Sequence, residues 1–423
     1  MITITNELNR YSVTIKYFCF AILLVSQPLF SDIVDTGSRP LELINSVQDP
    51  ELKQRLQNCR GLPASPTDFS IGHRGAPLGF PEHSLEGYLA AAEMGAGLIE
   101  CDAVPTKDGE LVCRHSECDL ATTTNILQTP LARKCSKPFS GATNTNNAAA
   151  KCCTSDLTLK EFTTLCARAD VSDPGAKSVR EFLKRAESPV IENPLTCGKV
   201  MTHRESIELV SSLDRKHIPE LKGFGKQTRL RELSGGFEYR DKIVQNYQNA
   251  GVSPSDVFLQ SFDMEDVLYW KSAYPKFGKN AVWLDGRSKN PFFKPTLEDM
   301  QRVKEKGIDI VAPPISVLVR TIENGELALS DYARFAKSVG LRIMTWTFES
   351  YRVNKTLYSE TPGRMSFEGI VPFEGIPLAM VPENEEGDEA GQPSHGQVAV
   401  SYTHLRAHET KANLVCRLLR EKK

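Results

Sequence analysis

From Phe69 to Thr347, short apolar runs alternate with segments whose apolar positions recur at helical spacing. The short runs fall at Phe69 to Gly72, Leu98 to Val104, Glu110 to Arg114, His217 to Leu221, Val257 to Ser261, Ala281 to Leu284, Ile308 to Ala312 and Arg342 to Trp346. Helical patterns lie between them at Ser84 to Met94, Arg229 to Ala250, Met264 to Ser272, Leu297 to Lys306 and Ser330 to Val339. Strand, helix, strand at this repeat length predicts parallel βαβ units, and this many of them predicts an α/β fold of the TIM (β/α)8 barrel type. The chain carries no internal sequence repeat.

One connection breaks the alternation. Between Val104 and Leu111 stands only PTKDGE, in which Asp108-Gly109 is a tight-turn signal. So short a turn joins antiparallel strands but not parallel ones, so Leu98 to Arg114 is expected to be a hairpin. With a two-residue turn, Asp102 and His115 are equidistant from it and lie side by side. Glu100 and Asp102 are two apart and leave the same face of the strand. Spacing alone therefore predicts a carboxylate pair beside an imidazole. The hairpin also consumes one strand candidate and leaves seven for the barrel, where closure needs an eighth.

Composition narrows the class. The chain has 423 residues, 40% of them hydrophobic, and a formal net charge of −2. A disordered chain is less apolar, a small disulfide scaffold far shorter and a nucleic-acid binder usually basic. Arg10 and Lys16 precede the apolar stretch Tyr17 to Phe30, which Pro28 interrupts and Ser31 and Asp32 follow. This reads as a secretory signal peptide, with an uncleaved N-terminal anchor as the competing reading, because a spanning helix needs about 20 apolar residues. At the other end, Glu383 to Gly391 is an acidic low-complexity linker, and Ser401 to Lys423 resembles a translated sequencing adapter with no evolved relation to the rest. The expected organisation is a signal peptide over 1–31, an N-terminal extension over 32–68, a barrel over 69–380, a linker over 381–400 and a foreign tail over 401–423.

Of the 11 cysteines, Cys19 goes with the signal and Cys416 with the tail, leaving nine. In a secreted or periplasmic chain that number implies disulfides and one leftover. Cys101 lies within a strand motif and reads as a buried thiol. Six others lie from Cys118 to Cys197, an insertion rich in Thr, Asn, Ala and Cys, where covalent staples would replace a missing core. Cys152 and Cys153 are adjacent, so each is expected to bond elsewhere. Cys113 and Cys118 have zinc-like spacing without a matching downstream pair, which leaves a zinc site the weaker reading. Such an insertion would cap one end of the barrel.

The polar strand ends carry the chemistry. His73-Arg74-Gly75-Ala76 is followed by Pro81-Glu82-His83-Ser84, then Glu100-Cys101-Asp102 running through Thr106-Lys107-Asp108-Gly109 to His115. Pro219-Glu220-Leu221-Lys222, Gln260-Ser261-Phe262 and Thr345-Trp346-Thr347 come after. In this order the motifs resemble the glycerophosphodiester phosphodiesterase family over roughly residues 69 to 349.

That resemblance implies one divalent cation, Ca2+ or Mg2+, held by Glu100, Asp102 and Glu220, and an all-oxygen cluster favours those ions over zinc. It implies an acid/base pair in His73 and His115, a role that suits imidazole near neutral pH. Arg74 would clamp a phosphate oxygen and Lys222 would neutralise developing charge. Glu82 would orient Arg74 or the substrate glycerol, and Phe262 and Trp346 would wall the pocket. The expected reaction is hydrolysis of a small glycerophosphodiester to sn-glycerol 3-phosphate and an alcohol. A phospholipase D-like enzyme acting on sphingo- or lysolipids and an inactive binding module of the same fold are the alternatives. Neither nucleic acid nor a stable membrane span is expected, and no feature specifies an oligomeric state.

Two departures stand out. His115 is followed by Ser116 where the family usually has Asp. The nearest match to the family's last strand, Glu368 to Phe373, lacks its acid and contains Pro372. A missing or frame-shifted natural C-terminus is the expectation drawn from this, with a lost cysteine as the partner of Cys59.

Overall fold

The computed structural model describes residues 44–45, 50–58, 66–77, 79–170, 172–184, 197–222, 238–290, 292–321 and 327–346. The signal segment, Cys59, Thr347, the candidate last strand, the linker and the tail lie outside them.

Seven parallel strands form one sheet in chain order: β1 (Thr67–Gly72), β2 (Ala96–Pro105), β4 (Lys216–Leu221), β5 (Gln260–Ser261), β6 (Val282–Leu284), β7 (Ile310–Ala312) and β8 (Arg342–Ile343). β3 (Leu111–Cys113) pairs antiparallel with β2 at the side. Six helices make the crossovers: α1 (Leu85–Glu93), α2 (His203–Ser212), α3 (Glu238–Asn249), α4 (Met264–Ala273), α5 (Leu297–Glu305) and α6 (Asp331–Ser338). Every strand run read from the sequence contains a strand. The helical pattern at Arg229 to Ala250 holds α3 in its second part, while residues 229–237 lie outside the described set.

Period-two burial sorts the strand residues into two layers. Ile71, Leu98, Ile218, Phe258, Val282, Leu284, Ile310, Ala312 and Met344 pack together on the concave side. Their neighbours Leu259, Trp283, Val311 and Ile343 pack outward with helix residues such as Trp270, Met300 and Tyr332. Both faces are therefore apolar, which is why the strands read as nearly unbroken hydrophobic runs. Helix starts are set by Ser84, Thr202, Asp263, Thr296 and Ser330, whose side chains accept from backbone N–H groups in the first turn.

The hairpin forms, but its register differs from the expected one. Thr106 N–H donates to Glu110 O at 2.8 Å, and Gly109 takes a left-handed φ of 78°. The loop is thus three residues long, Lys107 to Gly109, and pairs Ala103 with Cys113. Asp102 therefore lies opposite Arg114, whose N–H donates to Asp102 O at 2.8 Å, and not opposite His115.

The cysteines among the described residues pair as Cys101–Cys113, Cys118–Cys153, Cys135–Cys152 and Cys166–Cys197. Cys101 is thus a crosslink between β2 and β3, not a thiol, and the same pairings remove Cys113 and Cys118 as zinc ligands. Adjacent Cys152 and Cys153 do bond to different partners. The insertion also owns a core, contrary to expectation: Leu120, Ile126, Leu157, Phe162, Leu165 and Phe182 are buried together. Its disulfides therefore reinforce a packed unit. No helix among the described residues is long and apolar enough to cross a membrane.

Candidate active site

The expected residues converge at the carboxyl ends of the strands, where the loops of a β/α barrel carry function. Parallel pairing sets Asp102 beside Glu220, and Glu220 beside Gln260. Glu100 sits one inward-facing step below Asp102. One oxygen from each of Glu100, Asp102 and Glu220 lies within 4.8 Å of the others, and all three residues are buried.

The His73 to Ser84 segment folds over this cluster through a tight backbone. Arg74 has φ 57° and Gly75 φ 89°, and a Cβ on Gly75 would lie 2.9 Å from the Gly87 carbonyl carbon. Only glycine fits there. The turn brings the Arg74 N–H to Glu100 Oε2 at 2.9 Å and Arg74 Nη1 to Glu82 Oε2 at 3.1 Å. His73 Nε2 stands 3.5 Å from Glu100 Oε2, and Lys222 Nζ 2.9 Å from Glu220 Oε1. His115 is within electrostatic reach of His73, Arg74 and Lys222 despite the shifted hairpin register.

Crowding of like charges perturbs the acids. Burial raises the Glu100 pKa well above the usual carboxylate range, and repulsion from Asp102 and Glu220 adds to it. Burial likewise raises Glu220 to about 7, against the pull of Lys222. Burial, then Arg74 and Lys222, holds His73 and His115 well below the usual imidazole value. Burial opposes the charge on Arg74, but Glu82, Asp102 and Glu100 outweigh it and keep the guanidinium protonated.

Polar atoms in this site are left over. Asp102 Oδ1, Glu82 Oε1 and Gln260 Oε1 are buried acceptors without a hydrogen-bond partner among the described residues, and His73 Nδ1, His115 Nδ1 and Arg74 Nε, the last ion-paired with Asp102 Oδ2 at 3.8 Å, are nitrogens without a hydrogen bond. Buried polar groups are ordinarily satisfied, so such a cluster marks a place built for something else. Three converging carboxylates, with Asp102 Oδ1 left unpaired, fit a hard divalent cation, and the donors beside them fit an anion.

Phe262 and Trp346 lie farther out, edge to face with ring centroids 5.8 Å apart. Trp346 Nε1 donates to Ala312 O at 2.9 Å, and Phe262 remains 43% exposed. They form a rim and make no described contact with the carboxylates.

Sequence reasoning missed four neighbours of the cluster: His83, Tyr88, Arg114 and Gln260. Gln260 Nε2 donates to Glu100 Oε1 at 2.6 Å. Its place in the Gln260-Ser261-Phe262 motif, at the end of a strand, was a usable signal.

The profile of the glycerophosphoryl diester phosphodiesterase family matches residues 73–361. The chain belongs to this family of phosphodiesterases. It is 28% identical over 184 residues to an "Extracellular protein" of Arthroderma benhamiae, covering 43% of this chain and 74% of the relative. It is 27% identical over 254 residues to the glycerophosphodiester phosphodiesterase GDPD6 of Arabidopsis thaliana, covering 56% of this chain and 59% of that protein. It therefore spans less than two thirds of the plant relative. Among solved structures, a putative glycerophosphoryl diester phosphodiesterase from Silicibacter pomeroyi aligns with a TM-score of 0.47 at 20% identity, covering 69% of this chain and 86% of that one.

Proposed function

We propose that this chain hydrolyses glycerophosphodiesters to sn-glycerol 3-phosphate and an alcohol. The observation that carries the reading is the buried Glu100, Asp102 and Glu220 cluster with His73, Arg74 and Lys222 against it and His115 within electrostatic reach. Glu100, Asp102 and Glu220 would hold one Ca2+ or Mg2+, which would supply Lewis acidity at the phosphate.

The chain's own groups do the rest. Arg74, fixed by Glu82, presents its remaining N–H groups to a nonbridging phosphate oxygen. Lys222 balances charge that builds on the phosphate. One imidazole, in its neutral form, takes a proton from the attacking water as its oxygen bonds to phosphorus, and the other, in its protonated form, delivers a proton to the alcohol oxygen as the P–O bond to it breaks. The phosphodiester's negative charge raises the pKa of the imidazole it meets and so favours the protonated form needed for delivery. Phe262 and Trp346 contact the part of the substrate beyond the phosphate.

The exposed Phe262 edge also supports a second reading, a phospholipase D-like activity on lysolipids, because an acyl chain needs an apolar mouth. Four disulfide pairs suit an oxidising compartment, which supports secretion. Rates on glycerophosphocholine and lysophosphatidylcholine, each with Mg2+, Ca2+ or excess EDTA, test the proposal. Cation-dependent turnover of the deacylated diester is expected. Turnover of lysolipid alone supports the second reading, and EDTA-resistant turnover rules out the cation.

A further inference from the structure

His83 takes no part in the chemistry proposed above, yet it is fully buried and held in a left-handed backbone conformation, φ 51°. Residues other than glycine rarely adopt that region without outside support. Here the support is dense. The His83 N–H donates to Arg74 O at 3.0 Å, and Arg114 Nη2 donates to the carbonyls of Glu82 and His83 at 2.9 and 3.2 Å. Arg114, itself buried, is anchored by a bond from Nε to its neighbour Cys113 O at 2.8 Å.

Both ring nitrogens of His83 are engaged. Nε2 lies 2.9 Å from Asp102 Oδ2 and Nδ1 3.0 Å from the Tyr88 hydroxyl. A carboxylate only accepts, so Nε2 carries the proton, and Nδ1 then accepts from Tyr88 O–H. One tautomer satisfies all three groups. The arrangement also separates the two oxygens of Asp102: Oδ2 takes the His83 hydrogen bond, with Arg74 Nε farther off at 3.8 Å, while Oδ1 is buried without a hydrogen-bond partner among the described residues.

We infer that His83, backed by Tyr88, is a positioning residue for the cation site. It fixes the rotation of the Asp102 carboxylate and leaves Oδ1 as the oxygen free to ligate, and it transfers no proton. The inference rests on the cation site proposed above. Partners of this kind orient ligating groups, and their loss lowers metal affinity by about 10- to 100-fold.

The test is calorimetric titration of the full chain with Ca2+ alone and Mg2+ alone, for wild type, His83→Asn, Tyr88→Phe and His115→Ala. Asparagine tolerates the left-handed backbone but is too short to span Tyr88 and Asp102. His83→Asn is expected to weaken the cation Kd about 10- to 100-fold, with higher cation concentration restoring kcat. Tyr88→Phe, which keeps the ring and removes only the hydroxyl, should weaken it less and in the same direction. His115→Ala should leave the Kd unchanged. Wild type that binds while both His83→Asn and Tyr88→Phe bind within about twofold of it overturns the role of His83 alone. A wild-type chain that binds neither cation overturns the cation site itself.

Discussion

His217 and His203 flank Tyr247 with ring centroids 5.1 and 5.2 Å from its ring, where β4 packs against α2 and α3. Burial holds His217 down to about 4, and burial together with His217 holds His203 down to about 3. The native chain therefore stays neutral at these sites while the unfolded chain takes up protons near pH 6.5. Their contribution to stability is whole above that pH and is lost as the pH falls. Between pH ~7.5 and pH ~5, His217 alone weakens folding by about 2 kcal/mol. Glu220 and Asp119, both raised by burial to about 7, act with the opposite sign, because the native chain then binds protons that the unfolded chain does not. The overall pH profile is thus a difference of opposing contributions, and a variant must isolate one of them. The perturbation is His217→Gln, read by urea denaturation at both pH values. Lost packing and the Ser211 hydrogen bond weaken the variant at either pH. The stability gap between wild type and variant should shrink by about 2 kcal/mol at the lower pH. An equal gap at both pH values refutes the assignment of a buried neutral imidazole.

Replacing Cys118 and Cys153 by serine opens a crosslink spanning 35 residues and should destabilise the chain by about 4 kcal/mol in denaturant, with proteolysis beginning in the insertion. Trp270→Ala removes a fully buried ring and its Nε1 bond to Arg240 O, and should lower unfolding free energy by about 3–5 kcal/mol. Lys222→Met should reduce kcat/KM on glycerophosphocholine by about 10²- to 10³-fold while calorimetric Ca2+ affinity does not weaken, because a positive charge leaves the cluster.

The barrel was legible because buried parallel strands and amphipathic helices leave different apolar periods, and those periods survive in Leu98 to Val104 or Leu297 to Lys306 without tertiary information. The acids and basic groups were legible from ordered motifs. The hairpin register was not. Asp108-Gly109 suits a two-residue turn or a three-residue loop ending in a left-handed glycine, and the choice decides whether Asp102 faces His115 or Arg114. The Cys101–Cys113 bridge followed the register out of view. The core of the insertion was hidden because its apolar residues, such as Leu120 and Phe182, are spread over short elements without a sustained period. His83 was visible as a letter in a quoted motif, but its contacts with Asp102 and Tyr88 depend on a left-handed backbone that no spacing announces.

The central claim is that two imidazoles beside a carboxylate-held cation cleave a phosphodiester. It is tested most directly by phosphorus NMR of glycerophosphocholine incubated with purified wild type, His73→Ala or His115→Ala at saturating Ca2+ or Mg2+. The expected result is steady formation of sn-glycerol 3-phosphate by wild type and a loss of about 10²- to 10⁴-fold in each variant, with far-UV circular dichroism unchanged. Undiminished product formation in either variant would contradict the account.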